Sequence, residues 1–280
     1  MFFFILNGNL QKPLLFDFKY NIFSQNGEDG IIAQIFEKIG EGNKTCLEVG
    51  AANGLECSNT ANLWINRGWK AILIECSERL FDKLKENVTK YKGTCTIIHR
   101  YIDLKDNSLD SILRSIKLDR ELDLLSVDID GNDYYIVAGM QIHPRVLICE
   151  FNPTLPESID IYQDYGNDML GSSVAALVRI VEPKGYKLVA LTHCNCIFAD
   201  TQEAQKLDCF ETSLNALKLE DSVTYICQTL DSKLFLVKNL THGGVILPFG
   251  IKKVGFKGKI NSNSITRRVI NIELEKNKKT

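Results

Sequence analysis

Two carboxylate-rich stretches of this 280-residue chain have the residue types and spacing to do chemistry. The first is Glu48-Val-Gly50-Ala-Ala-Asn-Gly54, which ends one short apolar run. Glu75 closes the next such run, and Asp103 follows the third. Gly50 permits a tight turn, and Gly54 lets backbone approach a ligand closely. An acid ending the second of two neighbouring strands can accept hydrogen bonds from both hydroxyls of an adenosine ribose. The loop lacks the third glycine of G-x-G-x-x-G, and a pyrophosphate needs free backbone N–H groups at a helix N-terminus. The spacing therefore suits an adenosine ligand with a cationic amino-acid end better than a dinucleotide. Ala51, Asn53, Ser58 and Cys76 belong to the same expected pocket.

The second stretch is Asp128-Ile-Asp130-Gly131-Asn-Asp133, with Glu150 and Asn152 at the end of the following apolar run. Carboxylates this dense are costly unless they meet cations or protons. Asp128 or Asp130 can act as general base toward a hydroxyl or amine. Asp128, Glu150 and Asn152 can alternatively bind a hard divalent cation through oxygen. The bland reading is a turn at Asp130-Gly131 and a helix cap at Asp133. Of four histidines, His193 in an expected hairpin turn is the best acid–base candidate, with a surface turn residue as the alternative. Phe23–Asp29 either folds over the pocket, bringing Gln25 or Glu28 to the ligand, or is a polar turn with acids at a helix start.

The elements that must position these groups follow from apolar spacing. Continuous runs at Thr45–Val49, Lys70–Glu75, Thr94–His99, Leu122–Val127 and Arg145–Cys149 predict buried parallel strands. Helical stripes alternate with them: residues 31–39, 58–66, the segment after Ser77, Leu109–Ile116 and Asp133–Met140. Right-handed crossovers then bring every strand's C-terminal end to one rim, where ligands bind in such sheets. Leu155–Leu170 is a polar excursion long enough for a lid or substrate loop. A helix from Ser172 or Ser173 follows, then Tyr186–Leu191 and Cys196–Ala199 as an antiparallel edge pair. Beyond residue 205 the pattern changes to short β-like runs at Tyr225–Gln228, Leu234–Val237 and Val245–Leu247. The basic last dozen residues read as a frayed tail.

Composition narrows the class. A net charge of -2 gives no basic face for a nucleic acid. Met1–Leu6 is too short to span a bilayer or serve as a signal segment, so a cytoplasmic protein is expected. The nine cysteines read as reduced thiols, with Cys46, Cys76, Cys95 and Cys149 in apolar runs.

Ser24-Gln-Asn-Gly-Glu-Asp-Gly30, Leu47-Glu-Val-Gly-Ala51, Ser58-Asn-Thr60, Arg67-Gly-Trp69 and Leu73-Ile-Glu75 occur in that order. Val127-Asp-Ile-Asp-Gly131, Cys149-Glu-Phe-Asn-Pro153 and Gly171-Ser-Ser173 continue the series. Over residues 22–200 the chain resembles the FkbM-type methyltransferases. The resemblance implies a Rossmann-like class I fold with a mostly parallel seven-stranded sheet and an antiparallel edge hairpin. It also implies S-adenosyl-L-methionine as cofactor and methyl transfer to a hydroxyl of a carbohydrate-type acceptor, such as a capsular or other glycan precursor. By position, Glu48, Gly50, Gly54, Glu75 and Asp103 hold the cofactor in that reading, with Asp128 facing its amino-acid end or the acceptor. Residues 1–205 are then the cofactor-binding domain and 206–280 a partly β extension of unknown role. A small-molecule or glycan-linked acceptor is expected, with homodimerisation open. Metal-assisted or N-methyl transfer, an NAD-dependent oxidoreductase and a non-catalytic Rossmann-like binding module are the rival readings.

Overall fold

The computed structural model describes residues 12–118, 121–153, 155, 157, 158, 160–166 and 171–217, together with the backbones of six outlying strands. A seven-stranded sheet organises the described core: β1 (Thr45–Val49), β2 (Lys70–Glu75), β3 (Cys95–His99), β4 (Leu124–Val127), β5 (Val146–Glu150), β6 (Tyr186–Leu191) and β7 (Asn195–Asp200). Their order is β3-β2-β1-β4-β5-β7-β6. The first five are parallel, β7 runs antiparallel to β5, and β6 completes the edge hairpin. This is the Rossmann-like α/β architecture expected of the chain. The strand order reverses between β1 and β4, the switch point at which open sheets of this kind bind ligands.

Alternate residues of the central strands feed two cores. Leu47, Val49, Leu125, Val127, Leu147 and Cys149 face α4 (Leu109–Ser115), α5 (Asp133–Gly139) and α6 (Val174–Val181). Cys46, Leu124, Val146 and Ile148 face α1 (Glu28–Ile39) and α2 (Ala61–Asn66), with α3 (Glu78–Tyr91) packed beside them. Covering both faces explains why these strands read as unbroken apolar runs. Trp64 and Trp69 lie in the second core.

At the rim opposite the strand C-termini, the Arg145 guanidinium bridges buried Asp123 (2.9 Å) and Glu203 (2.8 Å) and donates to the Ile39 and Gly40 carbonyls. One side chain thus ties α1, the start of β4 and the start of β5.

Several local expectations need correction. Helix α1 begins at Glu28, because Asp29 organises the preceding turn by accepting from the N–H groups of Ile22, Phe23 and Ser24. Cys76 is exposed rather than buried, since β2 ends one residue before it. His99, at the end of β3, meets the Cys76 carbonyl and stacks on Phe81. Packing continues past residue 205: Leu207, Phe210 and Leu217 are buried, and Phe210 meets Phe18 edge to face. Two of the β-like runs form strands, and Thr224–Gln228 pairs antiparallel with Leu234–Lys238. Ile251–Lys257 pairs with Val269–Leu274, so part of the expected frayed tail is a strand. Phe4–Leu6 pairs with Asn9–Gln11. The run at 245–247 lies outside the described residues. Among the described residues, no helix is long and apolar enough to cross a membrane.

Candidate active site

The bend after β1 is built by its own backbone. Gly50 and Ala51 both donate to the Ile74 carbonyl at 3.0 Å, and Gly54 donates to Ala51 at 2.7 Å. Ala52 N–H donates to Glu75 Oε2 at 2.8 Å, while Leu55 and Glu56 donate to the Asn53 side chain. The N–H groups of Gly50, Ala51, Ala52, Gly54, Leu55 and Glu56 are thus all taken up inside the protein. A phosphate would find none of them turned toward it.

The glycines have packing reasons. Gly50 has φ +80°, and a Cβ there would lie 1.6 Å from the Asp128 carbonyl oxygen. Gly54, φ +78°, would meet a Leu84 methyl at 2.5 Å. The close approach read from the sequence is therefore made by the chain's own β4 loop and α3. It presses the end of β4 against the bend.

Glu75 ends β2 beside this bend and is nearly buried. Its two oxygens accept from Ala52 N–H and from Ser77 N–H, the latter at 2.6 Å. A carboxylate offers about four acceptor positions; with the Cys76 thiol also against it, at least one remains for a ribose hydroxyl. The side chain is held from behind and is chemically suited to a nucleoside.

Glu48 plays a different part. It is buried, and accepts from Ser58 Oγ (2.7 Å), Thr60 Oγ1 (2.7 Å) and Asn59 N–H (2.8 Å). Burial lifts its pKa to about 7 against these bonds. Ser58 in turn accepts from Thr60 and Ala61, and Asn59 reaches Ser126 on β4. Glu48 and Ser58 therefore shape the turn that leads into α2. Asp103 is half-buried and orders its own loop by accepting from Lys105, Asn107 and the Asn107 amide, bonds that lower its pKa.

Beyond β4, Asp133 staples the loop that the motif forms. Its oxygens accept from Ile129 N–H (2.7 Å) and Gly131 N–H (2.9 Å), and burial raises its pKa to about 7. Asp130, at φ +57°, is exposed on the outside of this turn. Asp128 lies against Glu150 from the end of β5, and the two carboxyls hydrogen-bond. Burial and the neighbouring carboxylates push both upward, Glu150 further, so the pair keeps one proton near neutrality. Asp128, Asp133 and Glu150 place ligand oxygens within 4.8 Å of one another, a donor set a hard cation accepts. Asp133 is the third carboxylate of that trio; Asn152, half-buried at the end of β5, donates its N–H to the Ser172 carbonyl.

Glu28 is fully buried at the start of α1. Its carboxylate accepts from Thr192 Oγ1 (2.6 Å), Asn195 Nδ2 (2.9 Å) and Asn26 N–H (2.8 Å), pinning the β6–β7 turn that carries His193. Gln25 is exposed and His193 half-buried. Phe151 N–H donates to the Cys194 carbonyl, so the turn also leans on the end of β5. Thr192 and Asn195 stand about 165 residues from Glu28, and nothing in local sequence signals that contact.

No family profile matches the chain, and no curated protein does. Among solved structures, a SAM-dependent methyltransferase from Aquifex aeolicus is similar at 14% identity and TM-score 0.36, covering 60% of this chain and 87% of that one. A precorrin-6y C5,15-methyltransferase from Geobacter metallireducens shares 13% identity, TM-score 0.38, covering 65% and 91%. The N-terminal domain of EvdMO1 with SAH bound shares 12%, TM-score 0.41, covering 64% and 82%. Likenesses this distant leave the activity to be argued from the site itself.

Proposed function

We propose that the chain is an S-adenosyl-L-methionine-dependent methyltransferase acting on a hydroxyl of a neutral, carbohydrate-type acceptor. The observation that carries this reading is the bend at Gly50–Gly54. The N–H groups of Gly50, Ala51, Ala52 and Gly54 are consumed internally, and an acid with acceptor capacity to spare stands beside it. That arrangement suits a nucleoside without phosphates and disfavours NAD. The order of motifs shared with FkbM-type enzymes points the same way.

In this reading Glu75 holds the ribose, and Ala51, Asn53 and Cys76 border it. When bound, S-adenosyl-L-methionine would supply an activated methyl group on its sulfonium and would leave as a neutral thioether. The acceptor oxygen forms the new C–O bond as its proton passes to Asp128. Glu150, holding its own proton, steadies the Asp128 carboxylate from the side. Asp130 tunes the pair through its charge. Holding the reactants in line supplies much of the acceleration. The charges weighing most on the Asp128–Glu150 pair are carboxylates: Glu28, Asp130 and Asp133. Such a rim repels phosphates, which argues for a neutral acceptor and against nucleic acid.

Incubating the chain with methyl-labelled cofactor and a panel of sugars and glycans tests the reading. Label should enter a hydroxylated acceptor, and Asp128→Asn should lower turnover by about 10²-fold or more. Equal turnover in that variant removes Asp128 as base. The carboxylate trio favours one second reading, metal-assisted transfer, in which a chelator abolishes activity and a divalent cation restores it.

A further inference from the structure

An aromatic cluster borders the acidic rim. Tyr134 and Tyr162 stack at 4.3 Å and 9°, and Tyr135 meets Tyr165 edge to face at 5.3 Å and 80°. The first pair is the buried end, with Arg179 against both rings. The second pair reaches solvent, with Tyr165 45% exposed. Tyr134 and Tyr135 open α5, immediately after the loop that carries Asp128 and Asp130.

The segment carrying Tyr162 and Tyr165 is fastened to that loop by buried polar groups. Asn132 Oδ1 accepts from Gly166 N–H (3.0 Å) and from the Gln163 amide (3.3 Å). Tyr135 OH donates to the Gln163 carbonyl (2.8 Å), and Gln163 Oε1 accepts from Gly171 (2.7 Å). The two outer rings are thus held at right angles by bonds their own packing does not require. An aromatic corner fixed in solvent keeps apolar faces wet, which an occupant would relieve.

The charges around it select that occupant. Asp164 and Asp130 are exposed at this end, and Asp164 is the carboxylate acting on Tyr135. The neighbouring cation, Arg179, is engaged by Asp160 and by Tyr134 OH. Carboxylates accept from hydroxyls and repel phosphate, while a tyrosine face packs against C–H groups. We propose that Tyr135 and Tyr165 form the acceptor subsite, stacking one neutral saccharide ring whose hydroxyls meet Asp130 and Asp164. The assignment rests on the methyl-transfer reading and names where its acceptor sits.

Ligand-observed NMR with a panel of methyl hexopyranosides tests it on the full chain, with S-adenosylhomocysteine binding measured on the same samples. At least one glycoside should bind. Tyr165→Ala should weaken it about tenfold, and Tyr165→Phe, which keeps the ring, by no more than about threefold. Glycoside binding that is absent, or equal in Tyr165→Ala, overturns the subsite, as does preferential binding of uridine monophosphate or catechol at Tyr165. Failure of S-adenosylhomocysteine to bind overturns the methyl-transfer reading itself, and the acceptor role with it.

Discussion

Glu150 donates a hydrogen bond to the Asp128 carboxylate across the ends of two parallel strands. Each sits where the other's charge would be costly, and a shared proton resolves the conflict.

Stability should therefore fall as pH rises. Glu150 is raised from 4.5 to about 10 and Asp128 from 3.8 to about 6, while Glu48 and Asp133 are each pushed to about 7. The native chain holds protons that the unfolded chain releases, so this stability is full below the unfolded values and lost through the folded ones. Melting temperature should decline from about pH 5 to about pH 9, and Glu150→Gln should flatten the portion above neutrality. A rising melting temperature over that range would contradict this assignment.

Asp130→Asn should keep the fold, because Asn tolerates the left-handed conformation observed there. Asp130 is the largest charge effect on Asp128, after burial. Removing it should move the acidic limb of the kcat/KM profile to lower pH, with neutral-pH turnover within about threefold. A collapse of turnover at all pH values would make Asp130, not Asp128, the base.

Gly50→Ala should be among the most damaging single changes. The new methyl would collide with the Asp128 carbonyl in a backbone conformation that already disfavours alanine. A loss of about 3 kcal/mol or more is expected by denaturant titration. Near-normal stability would mean that β4 is not pressed against the bend.

Far from the rim, Arg145→Ala leaves Asp123 buried without its cation. The expected cost is about 3 kcal/mol. A change under about 0.5 kcal/mol in the same titration would show the network to be dispensable.

The sheet was legible because two-sided burial leaves unbroken apolar runs, and Gly50 and Glu75 were legible because strand ends follow from those runs. The division of labour among the acids was not. Glu48 and Glu28 look like ligand-facing carboxylates in sequence, yet the structure gives their oxygens to Ser58, Asn59, Thr60, Thr192 and Asn195. Whether a carboxylate faces inward or outward depends on such distant partners, which spacing does not encode. The tyrosine corner was hidden for the same reason: Gln163 and Asn132 build it across 31 residues.

The most direct test of the central claim is calorimetric titration of the wild-type chain and Glu75→Ala with S-adenosylhomocysteine, with circular dichroism confirming the fold of each. One binding site is predicted in the wild type, weakened at least about tenfold in the variant, a loss of about 1.4 kcal/mol. No binding by the folded wild type, or equal affinity in both, would contradict it.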